Sequence, residues 1–397
     1  MKLSKIALEI CPSPTLSMAA RVAEKRAQGI DVVDFSAGEP DFDTPECVKQ
    51  AAVKALEENF THYTPYAGIR ELREAFAQYL GTMGLEYDYT QIVVSNGSKH
   101  ALKNAFSAIL DAGDEVLVPA PYWNSYIDIV KMCGGVPVTI KTLKSNGFRV
   151  TPKQLEEALT PRTKAVIINS PNNPTGMVYS ADELLEIGNF AVKNDLFIIS
   201  DEIYCKLIYS KKLLHCSIAS LGEEIKKRTV VIGGLSKSHA MTGWRVGFSA
   251  SDAELARVIA NIQSNSTSNI NSIAQKAALA ALTQAQDDAA EMLKHFEHRR
   301  DYIAQRISDI PFLSNLLPKG AFYLFVDVSK LLGESVGEYK IETAGDVAEV
   351  LFDKYNVAVV PSDAFGFEDH IRISYATSMR DVVEGVNRIE RFVKENF

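Results

Sequence analysis

Lys237 lies in the stretch GGLSKSHAMTGWRVG, with Gly and Ser before it and Arg245 eight residues after it. A lysine among small residues is either an ordinary strand-to-loop position or a nucleophile that can form a Schiff base with a carbonyl carbon. Arg245, framed by Gly243 and Gly247, could hold an anion carried by that carbonyl partner. Asp201 closes the apolar run LFIISD, and Tyr204 follows three residues later. A carboxylate in low dielectric is costly unless a cation or donor meets it. Capping the next helix would meet that need, and so would a protonated heterocyclic nitrogen. Asn173 falls in NSPNNPTG, where Asn-Pro-Thr-Gly makes a rigid turn. In PYWNSY, Tyr122 and Trp123 read either as core aromatics or as an indole face on which a flat ring could stack.

A second anion site is suggested by VVSNGSKHALKNAF. A strand, a turn at Gly97 and then a helix leave free backbone N–H groups and a positive dipole end. Ser98 is a plain helix cap or a phosphate contact. Lys99 and His100 occupy the first helical turn, where the macrodipole disfavours cations. An anionic ligand nearby would offset that cost. Together these residues supply a lysine nucleophile, a carboxylate, a phenol, an amide, an aromatic plate, and Arg and Ser for a phosphate. Pyridoxal 5′-phosphate uses that whole set, with the lysine as Schiff-base partner and the carboxylate at the pyridine nitrogen.

The elements that must position these groups are legible as seven Val/Ile-rich runs: QIVVSNG, DEVLVPAP, GVPVTIK, TKAVIINSP, LFIISDEIY, RTVVIGGLS and RVGFSAS. Each ends in turn residues and reads as a buried strand, with amphipathic segments between several of them. This alternation predicts an α/β fold, a mainly parallel seven-stranded sheet flanked by helices. Ligands bind such sheets beyond the carboxyl ends of the strands, where Asn96, Asn172, Asn173, Asp201 and Lys237 cluster. AAEMLKHFEHRRDYIAQRISDI reads as a long bridging helix, and the β-like runs and final helix after it predict a smaller α+β domain. The expected division is an N-terminal segment 1–45 joining the small domain, a large ligand-binding domain 46–285 and a small domain 286–397. LLGESVGEYKIET (331–343) is expected to be an exposed loop.

Bulk composition narrows the partners. A formal net charge of -8 argues against nucleic acid, whose phosphates need a basic surface. The five cysteines are scattered and contain no C-x-x-C, a pattern suited to a reducing cytoplasm. Glu9 interrupts the short apolar N-terminal run, which therefore does not read as a secretory signal. No apolar run approaches the ~18–20 residues of a membrane helix.

With these motifs the sequence resembles the aspartate aminotransferase family of fold-type I, pyridoxal-phosphate-dependent enzymes. The similarity runs through AGEPDFDTP, YTPYAGIRELREA, PYW, NSPNNPTG, SDEIY, SKSHAMTGWRVG, PKGAFY and RISYATS. It is strongest toward the bacterial subgroup with AGEPDFDTP and MTGWR. The resemblance implies that Lys237 carries the cofactor, Asp201 pairs with its ring nitrogen, and Tyr204 and Asn173 bond its ring oxygen. Trp123 would stack on the ring. Ser236, Arg245, Gly97 and Ser98 would hold the phosphate, joined by Tyr63 from a second subunit of a homodimer. Arg372 would clamp the substrate α-carboxylate, with the Gly38 backbone closing over it; without the resemblance Arg372 reads as an exposed strand arginine. Lys99 would meet the side-chain carboxylate of a dicarboxylic substrate, or only assist at the phosphate. The expected reaction is transamination between an amino acid, L-aspartate first, and a 2-keto acid such as 2-oxoglutarate. The alternative is an aromatic or kynurenine-type aminotransferase, or a cysteine-conjugate β-lyase. Two departures stand out: Gly234 replaces a phosphate-binding hydroxyl of many relatives, and Cys11 a basic residue of some that accept larger keto acids.

Overall fold

The computed structural model describes residues 2–10, 12, 14–209, 214–337 and 339–397. The seven apolar runs form one seven-stranded sheet. Its strands are β1 (Ile92–Asn96), β2 (Glu115–Ala120), β3 (Val136–Lys141), β4 (Thr163–Asn169), β5 (Phe197–Asp201), β6 (Thr229–Gly234) and β7 (Val246–Ala250). The spatial order is β1-β7-β6-β5-β4-β2-β3. Every neighbouring pair from β6 to β3 is parallel, whereas β7 runs antiparallel to both β1 and β6. Strands buried on both faces need apolar side chains in continuous runs, which is what β6 and β7 carry. The outer strand β3 is largely exposed.

The reversed direction of β7 has a use. Asn96 pairs with Val246 and Gly234 with Gly247, so β7 starts at the edge where β1 and β6 end. Arg245 and the residues after β1, β5 and β6 therefore meet at one rim. Helix α1 (Gly97–Ile109) follows β1 directly and buries Ala101, Leu102, Ala105, Phe106 and Ile109. Helix α2 (Ser125–Met132) follows β2.

Beyond the sheet, α3 (Gln286–Ser308) turns Met292, Phe296, Ile303 and Ile307 into a second core. A four-stranded antiparallel sheet joins it, with β8 (Tyr323–Asp327) and β9 (His370–Ser374) at its centre. The last helix, α4 (Met379–Asn396), contributes Val382, Val386, Ile389, Phe392 and Val393. The N-terminal segment is tied here as well: Val33–Asp34 pairs in parallel with Val357–Ala358. This core also takes in Tyr204, Leu207 and Tyr209, whose segment is stitched to the turn before β8. Ala321 N–H donates to the Leu207 carbonyl at 2.9 Å, and Tyr209 N–H to the Lys319 carbonyl at 3.0 Å.

The 331–343 stretch departs from its expectation as an exposed loop. Ser335–Val336 and Tyr339–Lys340 form a short antiparallel hairpin, and Leu331, Val336 and Ile341 are buried in the second core. Three anchoring side chains suffice to hold a segment whose alternation is too short to read as strand. Among the described residues, no helix is long and apolar enough to cross a membrane, and Cys47, Cys133, Cys205 and Cys216 are free thiols.

One ion pair fixes the approach of the AGEPDFDTP loop. Arg299 of α3, itself buried, forks onto Asp41 with Nη1–Oδ1 at 2.6 Å and Nη2–Oδ2 at 3.0 Å. Removing only the carboxylate strands a buried cation. Asp41→Ala is therefore expected to lower stability by about 2–4 kcal/mol in urea unfolding, the lower part of that range reflecting the partial exposure of Asp41. The double variant Asp41→Ala/Arg299→Met should recover part of the loss, because the charge goes with its partner.

Candidate active site

Lys237 follows β6 through Leu235 and Ser236, and its Nζ donates to the Gly38 carbonyl at 2.5 Å. Burial pulls its pKa down to about 8; Glu39 opposes that shift, and Arg245 and Arg372 add to it. The amine is thus half neutral near pH 8, where a free lysine is almost wholly charged.

Asp201, at the end of β5, is 2% exposed. Its Oδ2 accepts from the Tyr126 hydroxyl at 2.5 Å and its Oδ1 from the Ile203 N–H at 3.2 Å. Burial raises its pKa to about 6 in spite of these two donors. The donors present are neutral, so the carboxylate still lacks a cation in contact. Asn169 at the end of β4 ties this rim together: Nδ2 donates to the Asp201 carbonyl at 3.0 Å, and Oδ1 accepts from the Asn173 N–H at 2.9 Å.

Arg372, on β9, is 2% exposed yet has no ion pair among the described residues. Nη1 donates to Asn173 Oδ1 at 3.1 Å and Nη2 to the Ser36 carbonyl at 2.7 Å, while Nε has no partner. The guanidinium lies between two rings, 4.6 Å from the Tyr323 centroid and 5.1 Å from that of Phe365. Tyr204 meets the same wall, with its hydroxyl 2.8 Å from that of Tyr323.

The third corner is the start of α1. Gly97 has φ +75°, and a Cβ there would come within 2.4 Å of Arg245 Nη2. A Cβ on Gly247 would lie 2.4 Å from the Ser98 nitrogen. Gly247 is therefore required for β7 to lie against the helix start, and at Gly97 the left-handed backbone favours glycine beside the Arg245 guanidinium. Arg245 itself holds a left-handed backbone, φ 56°, with Nη1 donating to the Thr242 carbonyl at 2.9 Å. Ser98 spends its hydroxyl on the Gly233 carbonyl at 2.9 Å, which leaves its N–H for a ligand. At Gly234 a Cβ would fall 2.9 Å from Ser98 Oγ, so the serine hydroxyl fills the space that a larger residue there would need. Lys99 Nζ sits 4.9 Å from the Trp123 ring centroid, and Trp123 meets Tyr126 edge-on at 5.4 Å. Partial burial and then Arg245 draw the Lys99 pKa down.

The structure thus brings Lys237 to Gly38, Arg372 to Asn173, Arg245 to Gly97 and Lys99 to Trp123. Ser236 is buried on the same loop as Lys237. Tyr63 stands apart, 91% exposed. The basic-residue position noted at Cys11 lies outside the described residues. Reading the sequence missed Tyr126 and Tyr323; only their place in PYWNSY and PKGAFY could have flagged them. No cluster of His, Cys, Asp and Glu suited to a metal occurs among the described residues. The donor set suits a flat, carbonyl-bearing anion with a basic ring nitrogen, together with a carboxylate at Arg372.

Comparison with known proteins agrees with this chemistry. The family model for aminotransferase class I and II matches residues 30–389. The chain belongs to that family. This aminotransferase is 44% identical to an aspartate aminotransferase of Geobacillus stearothermophilus, over 99% of both chains. It is 46% identical to a probable aspartate/prephenate aminotransferase of Aquifex aeolicus, over 97% of this chain and 96% of that one. The structure of the aspartate aminotransferase from Rhizobium meliloti superposes with a TM-score of 0.96 at 38% identity, covering all of both chains.

The lowered Lys237 pKa gives a direct expectation for the aminotransferase. Reductive methylation of the cofactor-free protein, followed residue by residue by mass spectrometry, should show Lys237 reacting with a midpoint near pH 8. That midpoint lies well below the ~10.4 of a free lysine side chain.

Proposed function

We propose that the protein transfers the amino group of L-aspartate to 2-oxoglutarate, giving oxaloacetate and L-glutamate, with pyridoxal 5′-phosphate bound at Lys237. The observation that carries this reading is Arg372: a buried guanidinium with two neutral partners and a free Nε requires an anion, and a planar carboxylate matches its fork. The site fits the cofactor on its own features: a crowded glycine cradle for the phosphate, and a buried carboxylate without a cation for the ring nitrogen. Bound there, the cofactor supplies a carbonyl carbon and an electron-withdrawing ring that stabilises charge developing at the substrate Cα.

The chain's own residues do the rest. Asp201 holds the proton on the ring nitrogen, and Trp123 covers the ring. Tyr204 and Asn173 bond the ring oxygen; Arg245, Ser236 and the N–H groups of Gly97 and Ser98 hold the phosphate. Lys237 Nζ takes the Cα proton and later returns a proton as the acid, a task suited to a pKa near working pH. Arg372 fixes the α-carboxylate and Gly38 closes above it, which aligns the Cα–H bond for removal. Lys99 meets the side-chain carboxylate; a partly buried cation without an ion pair among the described residues favours a dicarboxylic substrate over an aromatic one. The second half-reaction runs the same groups in reverse on a 2-keto acid. In this reading the protein is a cytoplasmic homodimer in which Tyr63 of the partner subunit completes the phosphate site; its 91% exposure in the single chain supports that reach. The division into segment 1–45, large domain 46–285 and small domain 286–397 belongs to the same reading.

Mixing the purified protein with L-aspartate, and separately with L-phenylalanine, tests this without any keto acid. Loss of the cofactor's lysine-bound absorbance with aspartate, and little with phenylalanine, is the expected result. Conversion mainly by phenylalanine would assign the protein to the aromatic class, and no cofactor band at all would refute the reading. Lys99→Ala should then lower kcat/KM for aspartate by about ten- to a hundredfold, the worth of one charged hydrogen bond.

A further inference from the structure

Tyr323 opens β8 and is 1% exposed, with its hydroxyl 2.8 Å from that of Tyr204. Both phenols are buried, and burial holds both pKa values above the ordinary tyrosine range, so each keeps its proton. Two hydroxyls in contact share one proton between them, and the other must go elsewhere. The Tyr323 hydroxyl has no hydrogen-bond partner besides Tyr204 among the described residues. If Tyr204 donated to Tyr323, the Tyr323 proton would be stranded in the core, at the cost of an unsatisfied buried donor. The Tyr204 hydroxyl likewise has no other partner among the described residues, but the reading above sets it at the cofactor's ring oxygen; with that acceptor the opposite polarity uses both protons, Tyr323 donating to Tyr204 and Tyr204 to the oxygen. The Tyr323 ring, meanwhile, forms one wall of the Arg372 guanidinium, 4.6 Å away. Gly38 packs over the hydroxyl, since a Cβ there would lie 3.2 Å from it.

We propose that Tyr323 is a positioning residue with two separable parts: its hydroxyl directs the Tyr204 proton toward the cofactor's ring oxygen, and its ring supports Arg372 against the substrate carboxylate. This rests on the reading above that Tyr204 faces that oxygen. Only the hydroxyl is lost in Tyr323→Phe, whereas Tyr323→Leu loses the ring as well.

The test is a competition for the cofactor-free protein between pyridoxal phosphate and its 3-deoxy analogue, which lacks the ring oxygen. It is paired with titration of the holoenzyme by maleate, a dicarboxylate that cannot react. In Tyr323→Phe the preference for pyridoxal phosphate over the analogue should fall by about three- to tenfold, the range of one lost buried hydrogen bond. Maleate affinity should stay at the wild-type value. In Tyr323→Leu the preference should fall equally and maleate binding should weaken by about threefold or more, the worth of a cation–π contact. An unchanged cofactor preference in Tyr323→Phe, alongside a reduced one in Tyr204→Phe, overturns the role of the hydroxyl. Wild-type maleate binding in Tyr323→Leu overturns the role of the ring. If Tyr204→Phe itself keeps the wild-type preference, the placement of Tyr204 at the ring oxygen fails, and this inference with it.

Discussion

A buried cation without a counter-charge organises this molecule. Arg372 has two neutral acceptors, one on the N-terminal segment at Ser36 and one on the turn after β4 at Asn173. Aromatic faces from β8 and from the turn before β9 close it in. Four stretches of chain therefore converge on a single guanidinium. Such an arrangement is costly in the folded state, since desolvating a charge outweighs what two neutral hydrogen bonds return. The fold bears that cost at a guanidinium whose Nε has no partner among the described residues, where a carboxylate would relieve it.

The same low dielectric acts on Lys237 and Asp201 with opposite effects on their pKa values. Burial lowers the amine to about 8 and raises the acid to about 6. Each group is moved toward neutrality, so that near pH 8 the carboxylate is ionised while about half of the amine is free of its proton. Neutral donors carry part of the load: Tyr126 holds Asp201 closer to the ionised form than burial alone would allow. Across the rim the strained backbone at Arg245 and the glycines at 97 and 247 place fixed positive groups where an anion can be met without rearrangement.

Most of the sheet was legible because a strand buried on both faces has to be written as a continuous Val/Ile run; β3 was also read as buried, but as an outer strand it is largely exposed. The seven runs became the seven strands with their ends within a few residues of the expected punctuation. Lys237, Asp201, Asn173 and Arg245 could be picked out because polar residues at such strand ends need a reason. Arg372 could not be read that way. Nothing near it in sequence distinguishes a buried strand arginine from an exposed one, since its burial comes from Ser36, Asn173, Tyr323 and Phe365. Tyr126 and Tyr323 escaped for the same cause: their partners lie 75 and 119 residues away. The hairpin at 335–340 was missed because two residues per strand leave no period to detect.

The stitching of residues 204–209 to the turn before β8 bears on how the chain is made. During synthesis on a ribosome, Asp201 and the loop that carries Lys237 emerge well before Ala321 and Tyr323. Until those late residues arrive, Tyr204 lacks the Phe322 and Tyr323 rings it packs against, and the Leu207 carbonyl has no donor. The seven-stranded sheet can close co-translationally, but the site beside it is finished only by the end of the chain. A nascent chain stalled short of β8 would thus display an apolar seam at the rim of its own catalytic centre, a surface for chaperones to cover.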